Sequence, residues 1–293
     1  MKFRFFRYYW IYLLVSLTLI ITSGVSLGIN GLNLGLDFTG GSLMEIDVDE
    51  EILLSEGLLR DSLGEELAID SIQSSGETAM IVRTETISNE RKDEVLLVLR
   101  EKIDERVVIT RFESIGPTLG RELLQKTLIA MGIIGAGTVI YLRTQFKELK
   151  YGVLALMGVL HDIFIMTGLF SLLGRTSGVE VDSMFVTAIL TTISLSMHDT
   201  VVIYDRIREL SKAGVKQKYE EVVETAIWET MRRSVNNSLM IVFMLVPLVL
   251  MGGESIHWFA VALLTGIVLG TYSSPFVCAP LLLLWEDIKK LIS

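Results

Sequence analysis

Five ionisable residues lie where few charges are expected. His161 and Asp162 are adjacent inside a long apolar run, and His198 and Asp199 are adjacent inside the next. Arg233 stands at the head of a further run and is followed by Ser234, Asn236, Asn237 and Ser238. Ionisable groups within apolar spans are costly and mark candidate functional sites. An apolar surrounding favours the neutral carboxylic acid, and a nearby arginine favours the carboxylate. An aspartate that alternates between those settings takes up a proton on one side and releases it on the other, which is the chemistry of a proton-driven pump. The competing reading is a static Asp199–Arg233 ion pair that fixes helix packing.

Other chemistries find little support. The chain has no HExxH pattern, and its three histidines (His161, His198, His257) are far apart. There is no GxxxxGK[ST] loop for a nucleotide. One cysteine, Cys278, excludes a disulfide framework and a cysteine zinc site. Gly24-Val-Ser-Leu-Gly28 matches GxSxG, but that motif needs a strand-turn-helix setting, and here it ends an apolar span. An intramembrane aspartyl protease would need two facing carboxylates, a role open to Asp162 and Asp199 only if they meet. No cofactor or metal is expected.

The elements that must carry these residues are membrane spans. Of 293 residues, 51% are apolar and 21% charged, and the mean hydropathy is +0.52. That composition excludes disorder and an ordinary soluble domain. The net charge of −9 argues against a nucleic-acid partner. Runs near the ~20 residues needed to cross a bilayer occur at Tyr8–Leu27, Thr127–Leu142, Tyr151–Leu173, Ser183–Tyr204, Val235–Met251 and Trp258–Trp285. The first lacks a small-x-small cleavage site and reads as a span, not a cleaved signal. Gly266 and Gly270 form a small-xxx-small packing face.

Lysine and arginine set the orientation. Fifteen flank the spans on the side of the N-terminus: three before span one, three between spans two and three, seven between four and five, and two at the C-terminal end. The short loops on the other side hold Arg175 alone. Both termini are therefore expected in the cytoplasm. The expected division is 1–29 for the N-terminus and first span, 30–121 for an extracytoplasmic domain, and 122–293 for a five-helix membrane domain.

Residues 30–121 carry 20 Asp/Glu and 9 Lys/Arg, a net −11 against +2 for the rest. A solvated folded domain explains that acidity better than a cation-binding surface does. Ser42–Val48 alternates as a strand, and Glu51–Leu63 has helical spacing. Ala68–Gln73 and Thr78–Thr84 read as strands around a Ser74–Glu77 turn. Asn89–Ile103 is amphipathic along Val95, Leu96, Leu99 and Ile103, and Arg106–Ile115 is a last strand. The order βαββαβ predicts a small α+β ferredoxin-like sandwich.

Several blocks together resemble the SecD/SecF family of the RND superfamily. Leu34-Gly-Leu-Asp-Phe-Thr-Gly-Gly41 resembles its first signature, and His161-Asp162 its third-span pair. The stretch Ser196–Glu209 resembles the fourth-span signature, with Arg206-Ile-Arg208 spaced as in SecF. Arg233–Ser238 and Gly266–Pro275 resemble the remaining blocks. One departure is His198, where the family usually has asparagine.

The resemblance implies a SecF-like subunit of SecDF in the bacterial plasma membrane. Its implied partners are SecD, the SecYEG channel, SecA indirectly, the preprotein and the lipid bilayer. It implies use of the proton motive force, with Asp199 as proton carrier, Arg233 modulating its charge, and Asp162, His161 and His198 as further relay candidates. Gly35, Asp37, Gly40 and Gly41 would form the junction, hinge or static turn, between the first span and the outer domain. The rivals are an RND-type small-molecule exporter subunit, which would need a larger outer domain with a lined pocket, and a structural scaffold of the channel.

Overall fold

The structure is a computed structural model that describes residues 8–48, 54–64, 66–75, 78–212 and 218–292. The chain forms two compact units, residues 34–128 and residues 1–33 with 129–293.

In the smaller unit, a short helical turn α2 (Leu36–Thr39) leads into β1 (Gly41–Asp47). Then follow α3 (Glu56–Leu63), β2 (Ile69–Ser75), β3 (Ala79–Thr84), α4 (Asn89–Lys102) and β4 (Val108–Ile115). The sheet order is β2-β3-β1-β4, and every neighbouring pair is antiparallel. Each helix therefore connects two parallel strands that are separated by a third, the arrangement of a split βαβ repeat. Both helices cover one face of the sheet. Leu59 and Leu63 of α3 and Val95 and Leu99 of α4 are buried on Met44, Ile46 and Val82. The helices start where serines cap them: Ser55 Oγ accepts from the Leu58 N–H and Ser88 Oγ from the Arg91 N–H. β2 and β4 are the sheet edges, and each carries an extra residue against its inner neighbour, Asp70 and Thr110. The first residues of the expected 51–63 helix and the Gly76-Glu77 part of the expected turn lie outside the described residues.

Glycine is required where this sheet begins. Gly40 has φ 72° and Gly41 φ 112°, conformations that side chains rarely adopt. A Cβ on Gly41 would also stand 2.8 Å from the Thr84 carbonyl oxygen. Gly35 is extended, at φ −68°, and caps α2, whose first turn contains Asp37.

Among the described residues six helices are long and apolar enough to cross a membrane. They are α1 (Tyr9–Asn30), α5 (Pro117–Phe146), α6 (Leu149–Ser177), α7 (Ser183–Lys212), α8 (Tyr219–Met251) and a sixth made of α9 (Glu254–Ser273), a π-helical turn (Ser274–Cys278) and α10 (Ala279–Ile292). Most outrun the apolar blocks because polar turns continue the helices past them. Expected as one regular span, the sixth is interrupted at Pro275. Proline lacks an N–H and crowds the carbonyl four residues back. The wider turn absorbs this, and the Ala279 N–H bonds to the Ser274 carbonyl.

Within this unit α9 lies against α7 and α8, and α1 against α6. The α7–α9 approach is close because Gly266 and Gly270 face it. A Cβ at Gly266 would collide with the Thr192 side chain, and one at Gly270 would stand 2.9 Å from Ser196 Cβ. Gly158 of α6 likewise leaves room for the Cys278 thiol.

Candidate functional site

Asp162 sits near the middle of α6, fully buried, where α7 and the end of α9 meet that helix. Its Oδ2 accepts two hydroxyl hydrogen bonds, from Ser196 on α7 and Ser273 on α9, each 2.7 Å long. Its Oδ1 is 2.9 Å from Nδ1 of the preceding His161. Nε2 of His161 is buried without a partner. Among the described residues no lysine or arginine pairs with Asp162. Two hydroxyl donors and an imidazole are thus the groups that make a charge there tolerable.

Asp199 is in a different setting. It is buried on α7 beside Ser234 of α8, which lies within hydrogen-bonding reach. It also lines a cleft of about 310 Å³ between α7, α8 and α9, together with Ser196, His198, Asn237, Ser238 and Thr271. Here Ser238 and Thr271 share a 2.6 Å hydroxyl bond. His198 is exposed on that cleft. Ser196 belongs to both settings: it lines the cleft and donates to Asp162.

Arg233 is not joined to Asp199; among the described residues no ion pair connects them. α8 begins at Tyr219, so Arg233 is inside the helix and not at its head. It is exposed and lines a second cleft with Asp205, Arg206, Glu209 and Glu229. Arg206 holds Glu229 at 2.5 Å and Glu209 at 2.6 Å there. The third histidine, His257, lies 2.9 Å from the Val249 carbonyl oxygen, apart from both aspartates.

Sequence reasoning singled out the aspartates but not Ser196 or Ser273, which bind one of them. It also missed the network behind them, in which Ser274 and Thr200 share a 2.9 Å bond and Tyr204 donates to the Cys278 carbonyl at 3.2 Å. The available signal was Ser273-Ser274-Pro275, a serine pair before a proline inside an apolar span.

Two family models match. One is described as "Protein export membrane protein SecD/SecF, C-terminal" and matches residues 96–288; the other, "SecD/SecF GG Motif", matches residues 25–52. A curated relative named protein translocase subunit SecF, from Anaerolinea thermophila, is 34% identical over 285 residues, 95% of this chain and 92% of that one. A second SecF, from Thermobaculum terrenum, is 35% identical and covers 96% of this chain and 93% of its own. The crystal structure of SecDF from Thermus thermophilus, titled a translocon-associated membrane protein, superposes with a TM-score of 0.82 at 27% identity. The match covers 98% of this chain and 39% of that longer one. A crystal structure of SecDF in its super-membrane-facing form gives a TM-score of 0.72 over 99% of this chain and 40% of the other.

Proposed function

This chain belongs to the SecD/SecF family of protein export membrane proteins, among its SecF translocase subunits, and on that premise we propose that it promotes preprotein translocation by drawing on a proton gradient. The carrying observation is a pair of buried aspartates in an apolar bundle with no lysine or arginine partner among the described residues, one fully enclosed and one on a largely apolar cleft that also holds hydroxyl, amide and imidazole groups. A carboxylate in such a place is costly when charged and much less so when protonated. Its protonation therefore follows whichever side the cleft communicates with. Asp199 carries the proton, Asp162 and His161 form a second stage reached through Ser196, and His198 stands at the cleft mouth. Arg233 acts from the neighbouring cleft, through long-range charge. Gly40 and Gly41 set the path by which the chain enters the outer domain.

The absence of a nucleotide loop agrees with an ion gradient as the source of energy. The excess of lysine and arginine on one side supports cytoplasmic termini and an extracytoplasmic residue 30–121 segment. The partners in this reading are a SecD subunit, with which SecDF is named, then the SecYEG channel, SecA indirectly and the preprotein.

The test is preprotein export into vesicles containing this chain and SecD, under an imposed pH gradient or an imposed sodium gradient, for wild type and Asp199→Asn. Asparagine keeps size and hydrogen bonding but cannot titrate. Loss of the pH-driven part of export with assembly intact is the expected result. Unchanged export refutes the carrier role and leaves a scaffold, and a response to sodium alone replaces the ion.

A further inference from the structure

Asp162 is tied to two other spans through one oxygen atom. Ser196 reaches Oδ2 from α7 and Ser273 reaches it from the end of α9. Those two helices are already locked together, because Gly266 and Gly270 let their backbones close up. Ser274, at the start of the π-turn, adds bonds to Thr200 and to the Ser196 carbonyl, both on α7. On the other side, α6 packs with α1, where Gly168 faces Ser23. The hydroxyl bonds to Asp162 thus join two helix pairs, α6 with α1 and α7 with α9.

Ser273 has two acceptors within reach. Its hydroxyl is 2.7 Å from Asp162 Oδ2 and 3.4 Å from the Gly270 carbonyl of its own helix, which already takes the Ser274 N–H and lies 3.0 Å from the Ser274 hydroxyl. A charged acceptor binds a hydroxyl about twice as strongly as a neutral one. The charge on Asp162 therefore decides how firmly Ser273 is held across the interface.

We propose that Asp162 is a charge-operated latch: as a carboxylate it clamps α6 onto the α7–α9 pair through Ser196 and Ser273, and a proton bound at Oδ2 opens it. This rests on the proton-coupled reading given above. The proton comes from water in the cleft, which Ser196 borders, and forms an O–H bond at Oδ2 with loss of the negative charge. Oδ2 then donates to one serine oxygen instead of accepting from two, and the hold on the other serine is lost. The titratable groups at Asp162 itself are His161 on α6 and Cys278 at the end of the π-turn; elsewhere on the packed helices α7 carries His198, Asp199, Tyr204, Asp205 and Arg206, and α9 carries His257 and Tyr272.

Cys278 reports on the interface without engineering. It is the one cysteine of the sequence, fully buried, and its thiol packs against Gly158 and faces the Leu154 carbonyl of α6 at 4.0 Å. Opening the latch exposes it. The full chain in membrane vesicles is treated with N-ethylmaleimide, and its labelling rate is measured for wild type, Ser273→Ala, Ser196→Ala and Asp162→Asn. Rates are taken as ratios to wild type at each pH, so the thiol's own titration largely cancels for the serine variants, which keep the Asp162 carboxyl beside it.

Ser273→Ala is expected to label roughly 10- to 100-fold faster at alkaline pH, the change for losing one hydrogen bond to a charged group. The ratio is expected to fall toward one on acidification, when the wild-type latch opens as well. Asp162→Asn labels fast throughout, and adding Ser273→Ala to it changes nothing. Should Ser273→Ala lose its native protease pattern, Ser196→Ala carries the same expectation. A ratio of one at every pH, or a raised ratio that does not change with pH, overturns the latch. If that happens while export still depends on the pH gradient and on Asp199, the proposed function stands alone. If wild-type export ignores the gradient, both fall.

Discussion

Replacing Gly270 by alanine tests the close α7–α9 approach on which the site depends. The new Cβ would stand 2.9 Å from Ser196 Cβ and 3.1 Å from Ser196 Cα, where ordinary contact begins at 3.4 Å. The obstacle is a helix backbone and a Cβ, neither of which can rotate away. The helices must separate by several tenths of an ångström, at a cost of about 1–3 kcal/mol for an overpacked contact. Alanine also improves helix propensity by up to ~1 kcal/mol, which blurs the single comparison. Gly137→Ala on α5 supplies the control, since a Cβ there meets nothing within 4 Å. The propensity gain is common to both variants, so their difference isolates the clash. The assay is thermal unfolding in detergent, followed by a fluorogenic maleimide reacting with the buried Cys278. Gly270→Ala should melt below Gly137→Ala by roughly 2–4 °C for each kcal/mol. Equal midpoints would show that α7 and α9 tolerate a wider spacing, and the account of how Ser196 is held at Asp162 would fail with it.

Two further outcomes concern the smaller unit. Leu99→Ala should destabilise it by about 2–5 kcal/mol, because Leu99 is fully buried between α4 and the sheet, whereas the exposed Leu97→Ala on the same helix should stay within ~0.5 kcal/mol; limited proteolysis of the full chain separates the two. Asp104 accepts from the Arg106 side chain and its backbone N–H, and these bonds lower its carboxyl below the ordinary 3.8. Its share of stability is then present above the unfolded value and disappears as pH falls through the lower folded one. Asp104→Asn should lose that small share at neutral pH and flatten the acid end of the unfolding curve measured against pH.

The spans were legible because a bilayer demands long apolar runs, and little else in a chain produces six of them. The smaller unit was legible because its strands and helices change period cleanly, as between Met44 and Ile46 on β1 and Val95 and Leu99 on α4. The partners of Asp162 were hidden. Ser196 and Ser273 are 77 positions apart, and a serine in an apolar span most often bonds its own helix, as Thr167 does to Ile163. Which serine faces a carboxylate depends on helix rotation, and rotation here is set by the two glycines that bring α7 and α9 together. Arg233 looked like the start of a span because apolar residues begin after it, yet α8 had already run for more than three turns. Helix ends follow capping and solvation, whereas apolar blocks follow burial, and the two part company at the membrane surface.

The bulged edges of the four-stranded sheet bear on how crowded copies of this protein behave. An open strand is a template on which another chain can polymerise. β2 carries Asp70 as its extra residue, and β4, bulged at Thr110, sets the charged pair Arg111 and Glu113 along its length, 2.7 Å apart. Two such edges brought together would be out of register at each bulge and would have to bury unlike and like charges at once. The sheet is thereby kept from growing beyond its four strands, and copies packed side by side remain separate molecules instead of seeding a fibre.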